Sequence, residues 1–263
     1  MEDSDEFYTR NNLASWDEAA PYHAAVNPQL EQAVQQLDYN NLNDDFKALV
    51  DSYSPAGKSV VQICCNNGRD LLSVKNKGAG FCLGIDGAPS FIAQAEKLAA
   101  LAGHHDVEYI QSNIYELPEK WLHQFDVAMI TVGVINWMPD LDEFIRICAS
   151  LIKPGGVLLM EEIHPVLNMY EEGEPSYLQA SYFNREPYRD DAGLDYFTGQ
   201  KYQAKENYWF QHPLSDLFTA AIKHGLVLEH FKELPYNIGN VCADLEHAQA
   251  NPPLGMDLTW RKA

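Results

Sequence analysis

The chain is expected to fold as a doubly wound α/β protein on a mostly parallel sheet, and three observations carry that expectation. Strand-like and helix-like segments alternate from Ser59 to Glu161, the rhythm of a parallel sheet with crossover helices. Within it, Val60-Val61-Gln62-Ile63 is a short apolar strand that breaks at Cys64-Cys65-Asn66-Asn67-Gly68 and opens a helix at Arg69-Asp70. A second apolar strand, Phe81-Cys82-Leu83-Gly84-Ile85, then ends on Asp86. A turn that lets a ligand approach the backbone, a helix N-terminus and a carboxylate for hydroxyls form the layout with which parallel sheets hold nucleoside cofactors.

In chain order, residues 1–56 read as an N-terminal helical cap. Asn12-Leu13-Ala14-Ser15-Trp16 and the residues to His23 form its first part, and Asn27-Pro28 resembles an N-cap with proline in the first turn. Leu30, Ala33, Val34 and Leu37 share a face of the helix that would follow, and Leu42, Phe46, Leu49 and Val50 share a face of the next. The main fold, 57–263, is expected to contain strand 59–64, helix 68–76, strand 81–85, helix 88–102, strand 107–111, a short helix near 118–122, strand 125–131 and helix 139–152. Lys153-Pro154-Gly155-Gly156 stops that helix, and Val157 to Glu161 is the next strand. Residues 163–213, rich in Tyr, Asn, Pro, Asp and Glu, break the rhythm and read as a substrate-shaping insert. Helix 214–224, strand Leu226–Phe231 and a last strand within Gly255–Arg261 close the chain.

Composition narrows the function. Of the 263 residues, 46% are hydrophobic and 21% charged, which is ordinary for a globular protein. The formal net charge of −20 repels a phosphate backbone, so no nucleic-acid partner is expected. No apolar run reaches the roughly 20 residues of a membrane span, and the acidic start, Met1 to Glu6, lacks the apolar core of a signal peptide. The expectation is a cytoplasmic protein with no membrane partner. Five cysteines without metal-ligand spacing read as reduced, mostly buried thiols, and no metal site is expected.

On these motifs the chain resembles the class I S-adenosylmethionine-dependent methyltransferases, strongly over residues 59–162 and more weakly over 214–262. The resemblance implies a Rossmann-like seven-stranded, mostly parallel sheet with helices on both faces and an antiparallel last strand, Gly255–Arg261. It implies S-adenosylmethionine as cofactor and S-adenosylhomocysteine as product. In the family's first motif an acidic residue is followed by alternating glycines; here those positions hold Gln62, Cys64, Asn66 and Gly68, and only the last glycine is kept. Asn tolerates the left-handed region and Cys is small, so the turn can still form. Asp86, with Gly87 behind it, stands at the ribose position, eighteen residues after Gly68. Its alternative role is to cap the helix at Pro89. Ser112, Asn113 and Ile114 match the adenine-contacting segment, and Thr131 and Val132 the segment beside the methionine end and the substrate mouth. The cofactor is expected to lean on backbone amides around Asn67-Gly68 and on Asp86. A dehydrogenase reading needs a glycine fingerprint that is missing, and the P-loop pattern is absent.

Methyl transfer from a sulfonium needs alignment and exclusion of water, and a base only when the nucleophile arrives protonated. His164, after the fifth strand, and His212, at the end of the insert, are the candidate catalytic bases; a polar loop histidine beside a proline is the plain alternative for each. Glu161 and Glu162 are candidates to bind an amine or orient a histidine, with solvated or ribose-linked roles as the equal alternative. Trp16 and His23 of the cap are candidates to pack on the cofactor, with simple anchoring of the helix as the alternative. Trp137, Tyr177, Tyr182, Tyr196, Tyr208 and Trp209 are candidates to wall a large enclosed substrate pocket. The expected function is methyl transfer to an O or N atom of a small molecule. A cofactor-binding scaffold without catalysis, or other chemistry using the same cofactor, stays open, as do the acceptor and the oligomeric state.

Overall fold

The structure is a computed structural model and describes residues 4–194 and 202–263. Helix α1 (Asp5–Ala25) starts at Ser4, whose Oγ accepts from the Phe7 amide at 3.2 Å, and runs on through Pro21. Proline removes one helical hydrogen bond, but Ala19 and Ala20 are fully buried and hold this stretch against the body of the fold. The following segment corrects the sequence reading. Only one turn, α2 (Leu30–Ala33), is helical, with Gln29 rather than Asn27 at its N-cap. Leu30 and Val34 are buried, whereas Leu37 is 97% exposed and belongs to no apolar face. In α3 (Asp44–Ser52) Asn43 caps the first turn, its Oδ1 accepting from the Phe46 amide at 2.8 Å.

Strands β1 (Val60–Ile63), β2 (Cys82–Asp86), β3 (Val107–Gln111), β4 (Phe125–Ile130) and β5 (Ile152–Ile163) alternate with α4 (Arg69–Asn76), α5 (Pro89–Leu101) and α6 (Leu141–Leu151). The short helix expected near 118–122 is a 3-10 turn over Glu119–Trp121. Lys153 to Gly156 do end α6, but they lie within β5 as an irregularity opposite Asp126. The insert holds two small hairpins, β6 (Tyr170–Glu171) with β7 (Tyr177–Leu178) and β8 (Tyr188–Asp190) with β9 (Asn207–Trp209). Helix α7 (Leu214–Lys223), β10 (Leu226–Leu234) and β11 (Gly255–Lys262) follow.

The sheet has seven strands in the order β10-β11-β5-β4-β1-β2-β3, and β11 runs antiparallel to both its neighbours. Strand order reverses between β1 and β4, which creates a crevice at their C-terminal ends. Alternation sorts the side chains. Val61, Ile63, Ala128, Ile130, Leu158 and Met160 face α6 and α7, while Val60, Val127, Met129, Val157 and Leu159 face α3 and α4. The connection of residues 235–254 also lies at the C-terminal edge, because β10 ends there and antiparallel β11 starts there. The five cysteines are free. Among the described residues no group of His, Cys, Asp and Glu could hold a metal ion, and no helix is long and apolar enough to cross a membrane.

Candidate active site

The turn after β1 keeps a glycine backbone on a sequence that has lost most of its glycines. Cys64, Asn66 and Gly68 stand at φ +53°, +50° and +73°, so all three positions of the alternating pattern adopt the left-handed conformation. A non-glycine residue there is strained by roughly 1 kcal/mol or more. Gly68 is required twice over, since a Cβ on it would lie 2.6 Å from the Tyr109 hydroxyl. The turn is closed by its own atoms: the Asn67 amide donates to Asn66 Oδ1 at 2.8 Å, and that of Gly68 donates to the Cys65 carbonyl at 2.9 Å. The backbone amides expected to meet the cofactor are therefore already paired. What the turn leaves without a partner among the described residues is the buried Asn67 Oδ1.

Asp86 takes up both roles that its position allows. Its Oδ2 accepts from the Asn66 amide at 2.8 Å and its Oδ1 from the Ala88 amide at 2.9 Å, so it ties the turn to the start of α5. Each carboxylate oxygen retains a second acceptor position. Burial pushes the carboxyl up to about 6, against the pull of the amides of Ala88, Asn66 and Gly87. Leu13 of α1 rests on Gly87, where a Cβ would lie 2.3 Å from Leu13 Cδ2.

The remaining sequence candidates separate by what their side chains touch. Ser112 joins β2 through its amide, which donates to the Asp86 carbonyl at 2.9 Å. Asn113 caps the 3-10 turn Ile114–Glu116, accepting from the Tyr115 amide at 3.2 Å and donating to Glu116 at 3.1 Å, and Ile114 is buried in the core. Thr131 Oγ1 accepts from Gln62 Nε2 at 3.0 Å and donates to Asp70 at 2.9 Å. Val132 lies beside Gly239 of the 235–254 connection. Trp16 and His23 come together against Phe91 of α5: the Trp16 ring lies 5.7 Å from His23, 6.3 Å from Phe91 and 5.3 Å from Trp137, and His23 Nε2 is 2.7 Å from the Leu194 carbonyl.

His164 and His212 have different partners. His164 Nδ1 accepts from the Val166 amide at 3.2 Å, so the neutral ring carries its proton on Nε2, 3.3 Å from Glu233. His212 Nε2 is 2.8 Å from the Met138 carbonyl, an acceptor, which puts the proton on Nε2 and leaves Nδ1 as the ring's acceptor. Burial lowers the pKa of both rings, so both are neutral near pH 7. His212 lines a cavity of about 10 Å³ together with Ile135, Asn136, Ile163, Pro165 and Met256. That cavity is far too small for a methyl acceptor and stands where a large enclosed pocket was expected.

Of the aromatic candidates, Tyr208 packs on Tyr8 at 5.0 Å, Trp209 stacks on Tyr188 at 3.8 Å, Tyr182 accepts through its hydroxyl from the Leu214 amide, and Tyr177 is half exposed. Tyr196 lies outside the described residues. Glu162 is engaged by the backbone, and its hydrogen bonds among the described residues reach no histidine. Its carboxylate accepts from the amides of Gly133, Val134 and Ile135 at 2.7–2.9 Å, fixing the loop after β4, and burial pushes it up to about 7.

Two features escaped the sequence reading. Asn12 of α1 donates through Nδ2 to the carbonyls of Trp137 and Tyr208 and accepts through Oδ1 from the Tyr208 amide, so it clasps cap, crevice and insert together. No motif marks it. The other is a row of polar side chains on one sheet face, which Gln62 and Asp257 could have signalled as polar residues inside apolar strands.

A family model for the methyltransferase domain matches residues 55–211. The chain belongs to the methyltransferase-domain family. A ubiquinone biosynthesis O-methyltransferase of Neisseria meningitidis is 29% identical over 151 residues, 57% of this chain and 57% of that protein. A tRNA U34 carboxymethyltransferase of Cellvibrio japonicus is 31% identical over 106 residues, 40% of this chain and 32% of that one. The chain spans about half the length of the curated relatives it matches. An S-adenosylmethionine-dependent methyltransferase from Mesorhizobium loti has the same fold, with a TM-score of 0.61 at 17% identity over 82% of this chain and 96% of that one. S-adenosylmethionine is the cofactor this family implies, and the residues present fit it. The left-handed turn, the Asp86 acceptors and the orphaned Asn67 Oδ1 meet at the crevice where strand order reverses.

Proposed function

We propose that the protein transfers the methyl group of S-adenosylmethionine to an oxygen or nitrogen atom of a small molecule in the cytoplasm. The observation that carries this reading is the left-handed backbone at residues 64, 66 and 68 set against Asp86. The net charge of −20 and the acidic row beside the crevice favour a small molecule over RNA. When bound, the cofactor supplies a methyl group activated by its sulfonium, whose leaving group is a neutral thioether.

In this reading Asp86 holds the ribose hydroxyls, the turn lets the nucleoside approach the backbone, and Ser112 to Ile114 border the adenine. Thr131 and Val132 flank the methionine end, with Glu162 fixing the loop behind them. Trp16 and His23 close the site from above and exclude water. Among the two histidines we assign the base to His212, whose Nδ1 is the open acceptor once the water-sized cavity beside it widens to admit the substrate, and a positioning role to His164, which joins the end of β5 to Val166 and stands 3.3 Å from Glu233. A protonated acceptor, a phenol for example, gives its proton to His212 Nδ1 as its oxygen takes the methyl group.

Calorimetry with S-adenosylhomocysteine, followed by transfer of labelled methyl from S-adenosylmethionine to a panel of phenols, carboxylates and amines, tests the reading. Micromolar binding and one labelled acceptor class are expected; absence of cofactor binding would reject it. With an acceptor in hand, His212→Ala should lower kcat by about 100-fold or more at unchanged cofactor affinity.

A further inference from the structure

Three strands and the residue that follows a fourth contribute side chains to one polar row on the sheet face covered by α3 and α4. Asp257 of β11 stands opposite Glu161 of β5 in the strand register; Thr131 directly follows β4, and Gln62 lies in β1. Asp70, in the first turn of α4, accepts from Thr131 at 2.9 Å. The row is closed at one end and open at the other: Asp257, Gln62 and Glu161 are 1%, 1% and 5% exposed, whereas Thr131 and Asp70 are half-buried beside the crevice.

Its chemistry is one-sided. Gln62 turns its amide into the row, with Nε2 donating to Thr131 and Oε1 meeting no donor among the described residues. Asp257 Oδ1 is likewise buried without a donor. Glu161 has Asn43 Nδ2 as its donor. Burial, with each carboxyl's acidic neighbour adding to it, pushes Glu161 up to about 8 and Asp257 up to about 6. Lys232, the cross-strand partner of Asp257 on β10, pulls against that rise but is exposed and engaged by Asp45 at 2.7 Å. Buried acceptors that outnumber their donors are matched by a ligand group that only donates and carries positive charge.

We propose that Glu161, Asp257 and Gln62 bind an alkylammonium group of the methyl acceptor, which enters past Thr131 and Asp70. This rests on the methyltransferase reading for the ligand's being the acceptor. Position favours the acceptor over the cofactor's own amino group, because Glu161 and Asp257 lie one and two strands beyond β4, roughly 5 and 10 Å from it in the plane of the sheet.

The test measures binding of n-butylamine and of its neutral isostere n-butanol by ligand-observed NMR, with and without saturating S-adenosylhomocysteine. The amine should bind at least tenfold tighter than the alcohol. Asp257→Asn should remove that preference while leaving the affinities for S-adenosylhomocysteine and 5′-methylthioadenosine, which lacks the amino-acid tail, within twofold. Glu161→Gln is the second variant should the first fail to fold. Equal or absent binding of amine and alcohol to the parent protein, or an amine preference that both folded variants retain, overturns the proposal. So does a loss of S-adenosylhomocysteine affinity alone, which would assign the row to the cofactor's tail. Failure of both nucleosides to bind the parent protein would sink the methyltransferase reading, while the amine comparison would still decide whether the row is a cation site.

Discussion

Cys64 holds a left-handed backbone conformation that a glycine would hold without strain. Replacing it by glycine should therefore alter stability by less than about 1 kcal/mol, relief of strain offsetting lost packing and greater freedom of the unfolded chain. Cys64→Val should cost more than about 2 kcal/mol, because a β-branched side chain at φ +53° is a conformational outlier. Urea unfolding of the two variants checks the pair, and equal losses would contradict it. At Asp86 and Gly68 the residue scale was legible in the sequence, since spacing and glycine chemistry mark both. At Asn67 it was not. The expected backbone donors are closed by Asn66 Oδ1 and the Cys65 carbonyl, a local exchange of partners that residue types alone do not encode. The histidines were found by their place after a strand and beside a proline, but which one keeps an open acceptor depends on the neighbouring Val166 amide and Met138 carbonyl.

Helix α1 is joined to the rest of the site by few but specific atoms. Its Asp17 accepts from the Ser90 amide at 2.8 Å in the first turn of α5, and Asn12 bonds the backbones of Trp137 and Tyr208. Asn12→Ala takes this partner from those part-buried backbone groups and should cost about 1–2 kcal/mol. Hydrogen exchange should speed up over residues 5–25 and 207–209 and stay unchanged in β1 and β4; uniform exchange across the protein would contradict a local clasp. The elements themselves were readable where hydrophobic periodicity is strong, from Ser59 to Glu161. Periodicity misled at residues 30–37, where a helical pattern exists but no surface waits for Leu37, so one turn forms and the chain departs. The connection of residues 235–254 carries no regular pattern to mark it, although Tyr236 and Gly239 bring it against Asp45 and Val132 at the edge of the crevice.

Across the whole molecule, acidic groups are concentrated both on the surface and inside one sheet face. Glu161, Glu162, Asp257 and Asp86 all have carboxyls raised by burial, to between about 6 and about 8. A carboxyl raised in the folded state binds its proton more tightly there, so its contribution to stability is full below the unfolded value near 4 and is lost as pH rises through the folded one. The buried histidines act in the opposite sense, losing stability as pH falls below about 6.5. Between pH 7 and 8.5 the histidines are neutral and Glu161 dominates. The urea midpoint should fall across that window, and Glu161→Gln should flatten the fall. The sequence predicted the sheet and its antiparallel closing strand, because strand order follows from a resemblance that needs only the pattern of elements. The acidic row exists only once β1, β4, β5 and β11 lie side by side, and polar Gln62 and Asp257 inside apolar strands are its one trace in the sequence. Whether a turn poor in glycine still holds a nucleoside against Asp86 is decided by calorimetric titration of S-adenosylhomocysteine into the parent protein and Asp86→Asn. Micromolar binding weakened about 10- to 100-fold by the substitution is expected; equal affinity for both proteins, or no binding to the parent, would rule out that role for the turn and Asp86.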